Sequence, residues 1–313
     1  MPIHREDHWL DSTFPGTRML LRSKHDGTPR GTPVLFVHGA TYGASMTYDY
    51  PVAGRSWMEA MAADGFDAWG LDLPGYGESE RPPAMDAPAS ASPPLLRTEE
   101  AVACVERAVA HVLARRGTSR LHLIGYSWGT AISGRYAGLH PEHVSRLVLL
   151  GATWMRDGPS PITADGPPGA YRVVTAAAAA ARWVHGLEPD QAAQINDQSE
   201  REAWACAVVA RDPVLGRETP PRLRAPAGVV ADRLERWGAG EPTYEPADIR
   251  APTLIVVGEW DHETTPAQGR AVFDRLRNAA DRRFLLIGRA THSMPLERQH
   301  PALRASVAAF LRE

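Results

Sequence analysis

Covalent chemistry in this sequence would begin at a serine set between two glycines, in GYSWG at 125–129. The apolar run LHLI leads into it, and a helix-like stretch, TAISGRYAGLH, leads out. A strand that turns at once into a helix strains the residue between them and lifts its side chain clear of the sheet. Gly125 and Gly129 suit such a turn, because the helix would pass the strand too closely for a Cβ at either position. The letters alone say little: glycine fills 27 of 313 positions, and an ordinary tight turn could carry the same motif.

A serine hydroxyl is a poor nucleophile near neutral pH. It needs a base within hydrogen-bond reach, and the base needs an acceptor that fixes its tautomer and stabilises its charge. GEWDHETTP at 258–266 puts Asp261 just past an apolar run, and GRATHSMPLE at 288–297 puts His292 in the loop after the last such run. In the order Ser127, Asp261, His292 these read as nucleophile, acid and base. Asp261 follows its apolar run directly, where the turn would aim a carboxylate at the His292 loop. VHGAT at 37–41 ends another apolar run with a glycine. The amide of Ala40, with Thr41 as the fallback, would join that of Trp128 in an oxyanion hole. His38 is expected to brace this loop rather than to act as the base.

These residues need a scaffold that brings several chain ends to one place. Short apolar runs at 33–39, 66–75, 120–127, 146–152, 252–261 and 284–292 each end in a turn rich in Gly, Pro or Asp, as buried parallel strands do. Helix-like segments lie between them. In the segment at 99–117, Val102, Val105, Val109 and Val112 recur at helical spacing and Gly117 supplies a stop. The predicted fold class is α/β, a mostly parallel sheet flanked by helices, with possible antiparallel edge strands before residue 25. The rhythm fails from Ala152 to about Asp248, where no buried strand is evident and a helix is expected near 170–185. A mainly helical cap inserted between two strands of the one sheet accounts for this. It divides the chain into a core at 1–151, a cap at 152–248 and the rest of the core at 249–313, the cap lying over the strands' C-terminal ends. The Pro/Ala/Ser-rich stretch at 81–96 is expected to be a mobile loop.

Composition narrows the partners. The formal net charge is −3, with 34 basic and 37 acidic residues, so there is no excess of cations to hold nucleic acid. MPIHREDHWLDS carries no apolar leader core, and TAAAAAARWV is too short to span a bilayer. The expectation is a soluble, cytoplasmic protein acting away from membranes. The two cysteines, Cys104 and Cys206, stand in apolar surroundings and read as inert core residues. Twelve histidines show no HExxH, and neither a metal nor a cofactor is called for.

With VHGAT, DLPGYGES at 72–79, GYSWG, GEWD and the terminal ATH in this order, the chain resembles the α/β-hydrolase superfamily over nearly its whole length. The resemblance implies a cap after the sixth strand, triad roles for Ser127, Asp261 and His292, and a structural turn at Asp72, Gly75 and Gly77. In some members the acid follows the sixth strand, which here points to Asp157 as a rival; Asp261 is preferred, because Asp157 sits in RDGPSP, which reads as an exposed connection. Neither HGGG nor HGGPG is present, which argues against one lipase and esterase group and against proline iminopeptidases. The expected reaction is hydrolysis of a carboxylic ester, lactone or thioester with an apolar portion, through an acyl-enzyme on Ser127. Cleavage of a carbon–carbon bond in a β-diketone-type substrate, amide hydrolysis, and a receptor with little turnover are the alternatives, since the pocket sets the chemistry. Tyr42, Trp154, Trp260 and Met294, beside the motifs or at the cap's entry, are the candidate substrate contacts. Trp183, Trp204 and Trp237 are expected to be packing residues of the cap.

Overall fold

The computed structural model describes residues 2–27, 29, 31–155 and 167–313. Among the described residues there are ten strands: β1 (His4–Asp11), β2 (Arg18–His25), β3 (Val34–Val37), β4 (Ala68–Asp72), β5 (Leu121–Tyr126), β6 (Val144–Leu150), β7 (Tyr171–Thr175), β8 (Arg222–Pro226), β9 (Thr253–Gly258) and β10 (Arg282–Ile287). Eight of them form one sheet in the order β1-β2-β4-β3-β5-β6-β9-β10. The first two pairings in that order are antiparallel and all the others are parallel. The edge hairpin expected at the N-terminus is therefore present. Every side chain of β3 and β9 is buried, because helices cover both faces.

One face is covered by helices Thr98–Arg116 and Trp128–Leu139. Val102, Val105, Val109 and Val112 all enter this core, and each contributes about 1.5–3 kcal/mol by leaving water. The helix ends where expected, with Gly117 in the left-handed conformation at φ 62°. The other face is covered by helices Trp57–Ala63 and His300–Arg312, which bring Trp57, Met58, Leu303, Val307 and Phe310 against β3, β5 and β9.

Three expectations need correcting. The segment between β6 and β9 holds an antiparallel ribbon, β7 paired with β8, where a helix alone was expected; the alanine run becomes helical only at Ala176–Trp183. The stretch at 81–96 is packed: Met85 and Leu96 are fully buried, and Leu95 donates its amide to Ala170 O at 3.2 Å. Apolar side chains within the Pro-rich stretch outweigh its loop-like composition. Cys104 is buried as expected, but Cys206 is exposed on helix Gln198–Val209, whose inward face is taken by Trp204, Ala205, Val208 and Val209. Among the described residues no helix is long and apolar enough to cross a membrane.

Candidate active site

Ser127 follows β5 directly and caps helix Trp128–Leu139 at φ 55°, ψ −121°. A non-glycine residue held there stores strain of about 1–3 kcal/mol, sustained by its surroundings. Its amide donates to Leu150 O at 2.8 Å, and its carbonyl accepts from the Thr130 amide at 2.8 Å. The two flanking glycines are required by contact. A Cβ on Gly125 would lie 2.4 Å from Gly129 O, and one on Gly129 would lie 2.4 Å from Val37 O. Helix, β5 and β3 thus meet with no room for a side chain.

Asp261 lies in the turn after β9, with both carboxylate oxygens engaged. Oδ1 accepts the amides of Glu263 and Thr264, both at 2.8 Å. Oδ2 accepts the Thr264 hydroxyl and His292 Nδ1, again both at 2.8 Å. Thr264 Oγ1 is also 3.1 Å from His292 Nδ1, so it touches both members of the pair. Burial works against a charged imidazole, but the carboxylates of Asp261 and Glu263 outweigh it and raise the His292 pKa above its ordinary value. The outer nitrogen, Nε2, is buried and makes no hydrogen bond. Tyr126 sets the loop from below: its hydroxyl donates to His292 O at 2.8 Å and its ring lies 5.1 Å from the imidazole. Glu297, fully buried, accepts from the Thr291 amide at 2.9 Å and from its hydroxyl. Burial raises the Glu297 pKa to about 7.

Trp128 N1 of its helix has no intrahelical acceptor for its amide, as in any first helical turn. Ala40 lines the same cavities as Ser127, while its carbonyl is turned away to accept from Arg172 at 2.7 Å and Tyr76 at 3.3 Å. His38 is buried and bridges the loop: Nδ1 donates to Gly39 O at 2.7 Å, and Nε2 accepts the Leu73 amide at 3.1 Å. Burial pushes its pKa down, which keeps the imidazole neutral in this bridging role. Asp72 accepts the amides of Ser45 and Glu78 and so ties the turn after β4 to the loop after β3.

Two cavities meet at Ala40 and Ser127. One is lined by Tyr42, Arg182, Trp183, Trp204, His292 and Leu296 among others. The other includes Trp128, Val229, Val230, Trp237, Glu263 and Thr264. Tyr42 is the one candidate substrate contact that lines either of them. Trp154 turns into the core, with its indole donating to Tyr244 O at 3.0 Å and Arg275 over its ring. Met294 is fully buried against the helix of the C-terminal end, and Trp260 is half-buried beyond the rim. Trp183 and Trp204, read from sequence as packing, do both: they pack together at 4.9 Å and form the cavity wall with Tyr42. Sequence reasoning also missed Glu263, Thr264, Tyr126, Arg182 and Glu297. Only Glu263 and Thr264 carried a signal, being two and three residues from Asp261. Asp157 lies outside the described residues. At the opposite end of the sheet, His140, Glu142 and His143 bring ligand-type atoms within 4.8 Å of one another, a grouping not anticipated from sequence.

A family model described as the α/β-hydrolase fold matches residues 32–176. A 1-acylglycerol-3-phosphate O-acyltransferase of Arabidopsis thaliana is 29% identical over 144 residues, which is 46% of this chain and 30% of that protein. The chain spans less than a third of the length of the curated relatives it matches. Among solved structures, a thermophilic esterase from Thermogutta terrifontis matches with a TM-score of 0.63 and 19% identity, over 98% of each chain. The 2-hydroxy-6-oxo-6-phenylhexa-2,4-dienoate hydrolase of Rhodococcus sp. strain RHA1 matches with a TM-score of 0.64 and 16% identity, over 100% of both. At such identities the likeness is one of fold. With the sheet order, the turn at Ser127 and the model matched over residues 32–176, this chain has the α/β-hydrolase fold.

Proposed function

We propose that the protein is a serine hydrolase that cleaves a carboxylic ester, lactone or thioester with an apolar portion. The observation that carries the reading is the His292–Asp261 bond of 2.8 Å in a wall shared with the strained Ser127. His292 Nε2 accepts the proton of Ser127 as the oxygen attacks the substrate carbonyl, and Asp261 stabilises the imidazolium. The amides of Ala40 and Trp128 hold the oxyanion, contributing roughly 3–6 kcal/mol together. His292 returns the proton to the departing alcohol or thiol. Water then attacks the acyl-enzyme with His292 as base again. The open Nε2 is compatible with this, because such hydrogen bonds tighten when substrate arrives.

The two cavities support a division of labour. Tyr42, Trp183, Trp204 and Leu296 offer an apolar wall to one half of the substrate, and Val229, Val230 and Trp237 offer another to the second half. On this reading residues 152–248 act as the lid. An esterase and a carbon–carbon bond hydrolase share the fold, so a β-diketone is run beside the ester panel. A fluorophosphonate probe should label the chain once, and Ser127→Ala should remove both labelling and turnover while the protein stays folded. Labelling that survives in Ser127→Ala would remove Ser127 from the mechanism. Full labelling with negligible turnover on every substrate would favour a receptor-like protein.

A further inference from the structure

His292 faces a carboxylate at each ring nitrogen. Asp261 occupies Nδ1, and Glu263 Oε2 lies 3.6 Å from Nε2, the nitrogen that must receive the Ser127 proton. That separation is just beyond a hydrogen bond. Glu263 is held there by a residue from a distant part of the chain. Arg182, on helix Ala176–Trp183, grips both Glu263 carboxylate oxygens through Nε and Nη2, and donates Nη1 to Thr41 Oγ1 at 3.0 Å. Arg172, at the preceding strand β7, donates to the same Thr41 hydroxyl. Glu263 and His292 are buried, at 7% and 6% exposure, and Arg182 is half-buried at 17%.

We propose that Arg182 is a positioning residue that restrains Glu263 from His292 Nε2, so that the base works only while helix Ala176–Trp183 is docked over Ser127. The inference rests on the serine-hydrolase reading above and assigns its regulation. The chemistry follows from the lone pair. A carboxylate on each nitrogen stabilises the doubly protonated ring, and an imidazolium has no lone pair with which to take the serine proton. The paired guanidinium offers Glu263 a bidentate, charge-assisted partner, which outcompetes a single contact to the ring. If the helix withdraws, Arg182 goes with it, and Glu263 needs to move by less than 1 Å to bond Nε2. A site open to water is thereby switched off.

Asp261 is fixed by two backbone amides and Thr264. Tyr126, from β5, donates to the backbone of His292, and Glu297 is turned to Thr291 on the far side. Among the described residues, Arg182 is the cation that acts on the ring from the segment between β6 and β9.

The test is an NMR titration of His292 in the wild type, Arg182→Gln, Glu263→Gln and the double variant, with the pH profile of ester turnover alongside. Arg182→Gln should raise the His292 pKa by about one pH unit and move the acid limb of kcat/KM upward by the same amount. Glu263→Gln should lower it, and the double variant should behave as Glu263→Gln does. An unmoved titration in Glu263→Gln, or an upward shift that persists in the double variant, overturns the proposal. If Arg182→Gln does not fold, Glu263→Gln decides alone by the same criterion. The titration needs no turnover. A wrong serine-hydrolase reading would show instead as a wild type that takes no fluorophosphonate label.

Discussion

Gly151 lies directly against His292: a Cβ built on Gly151 would fall 3.1 Å from Cε1 and 3.2 Å from Nδ1 of the imidazole. It would also meet Thr264 Oγ1 at 2.8 Å, and Gly151 has φ 57°, where a side chain is strained in any case. Gly151→Ala should therefore cost about 1–2 kcal/mol in urea unfolding, from the backbone conformation. Because the methyl presses on the histidine and its threonine, kcat should fall with little change in KM. Normal turnover in a destabilised Gly151→Ala would show that the imidazole has room the contacts deny it.

Asp261 and Thr264 can be separated by substitution. Asp261→Asn removes the charge and offers a donor where an acceptor is needed, so kcat on the best ester should drop by about 10³–10⁴. Thr264→Val keeps the shape but removes the hydroxyl that touches both Asp261 and His292, and should cost about tenfold. Asp157→Asn should stay within about threefold. A loss in Asp157→Asn equal to that in Asp261→Asn would transfer the role of acid.

Glu297 gives a pH-dependent stability of unusual sign. Its folded pKa is about 7 against an ordinary 4.5, so between those values the folded protein holds a proton that the unfolded chain has released. Stability should fall as pH rises through that window, by on the order of 3 kcal/mol from this group. Glu297→Gln should flatten the dependence of Tm on pH between about 4.5 and 7 and be the more stable protein above it. Parallel Tm curves for both proteins would place the buried proton elsewhere.

The cavity wall predicts which tryptophan tunes specificity. Trp204→Leu opens the wall shared with Tyr42 and Trp183, and should shift kcat/KM toward longer acyl chains by about tenfold across an ester series. Trp154→Leu should lower Tm without altering the ranking, since Trp154 faces the core. The reverse pattern would put Trp154 back at the substrate.

Much of this was legible from the sequence because the informative residues are near one another in the chain. Val102, Val105, Val109 and Val112 announce a helix by their spacing, and GYSWG announces its turn through the glycines that flank the serine. β7 was not legible: five residues with only Val174 buried give no alternation to read, and the alanines that follow favour helix. Arg182 and Tyr126 were hidden for another reason. Each meets its partner across a sequence separation of 81 and 166 residues respectively, and nothing local marks such a meeting. Trp183 and Trp204 were read as packing because a tryptophan buried on a helix looks the same whether its far edge meets another side chain or a cavity.

The backbone bonds at the ends of the inserted segment have a consequence for engineering. Ala170 exchanges bonds with Ala89 and Leu95, and Gly228 donates to Leu95 O at 2.8 Å, so β7 and β8 enter and leave the insertion at one seam against the 81–96 stretch. The paired strands thus clamp the two ends of the chain between Ala176 and Pro221, which carries helices Ala176–Trp183, Pro189–Ile195 and Gln198–Val209. A transplant bounded by Thr175 and Arg222 would cut where two paired strands already hold the ends together, leaving the seam intact. Substrate range could then be exchanged between relatives as a cassette, provided the incoming helix brings its own partner for Glu263.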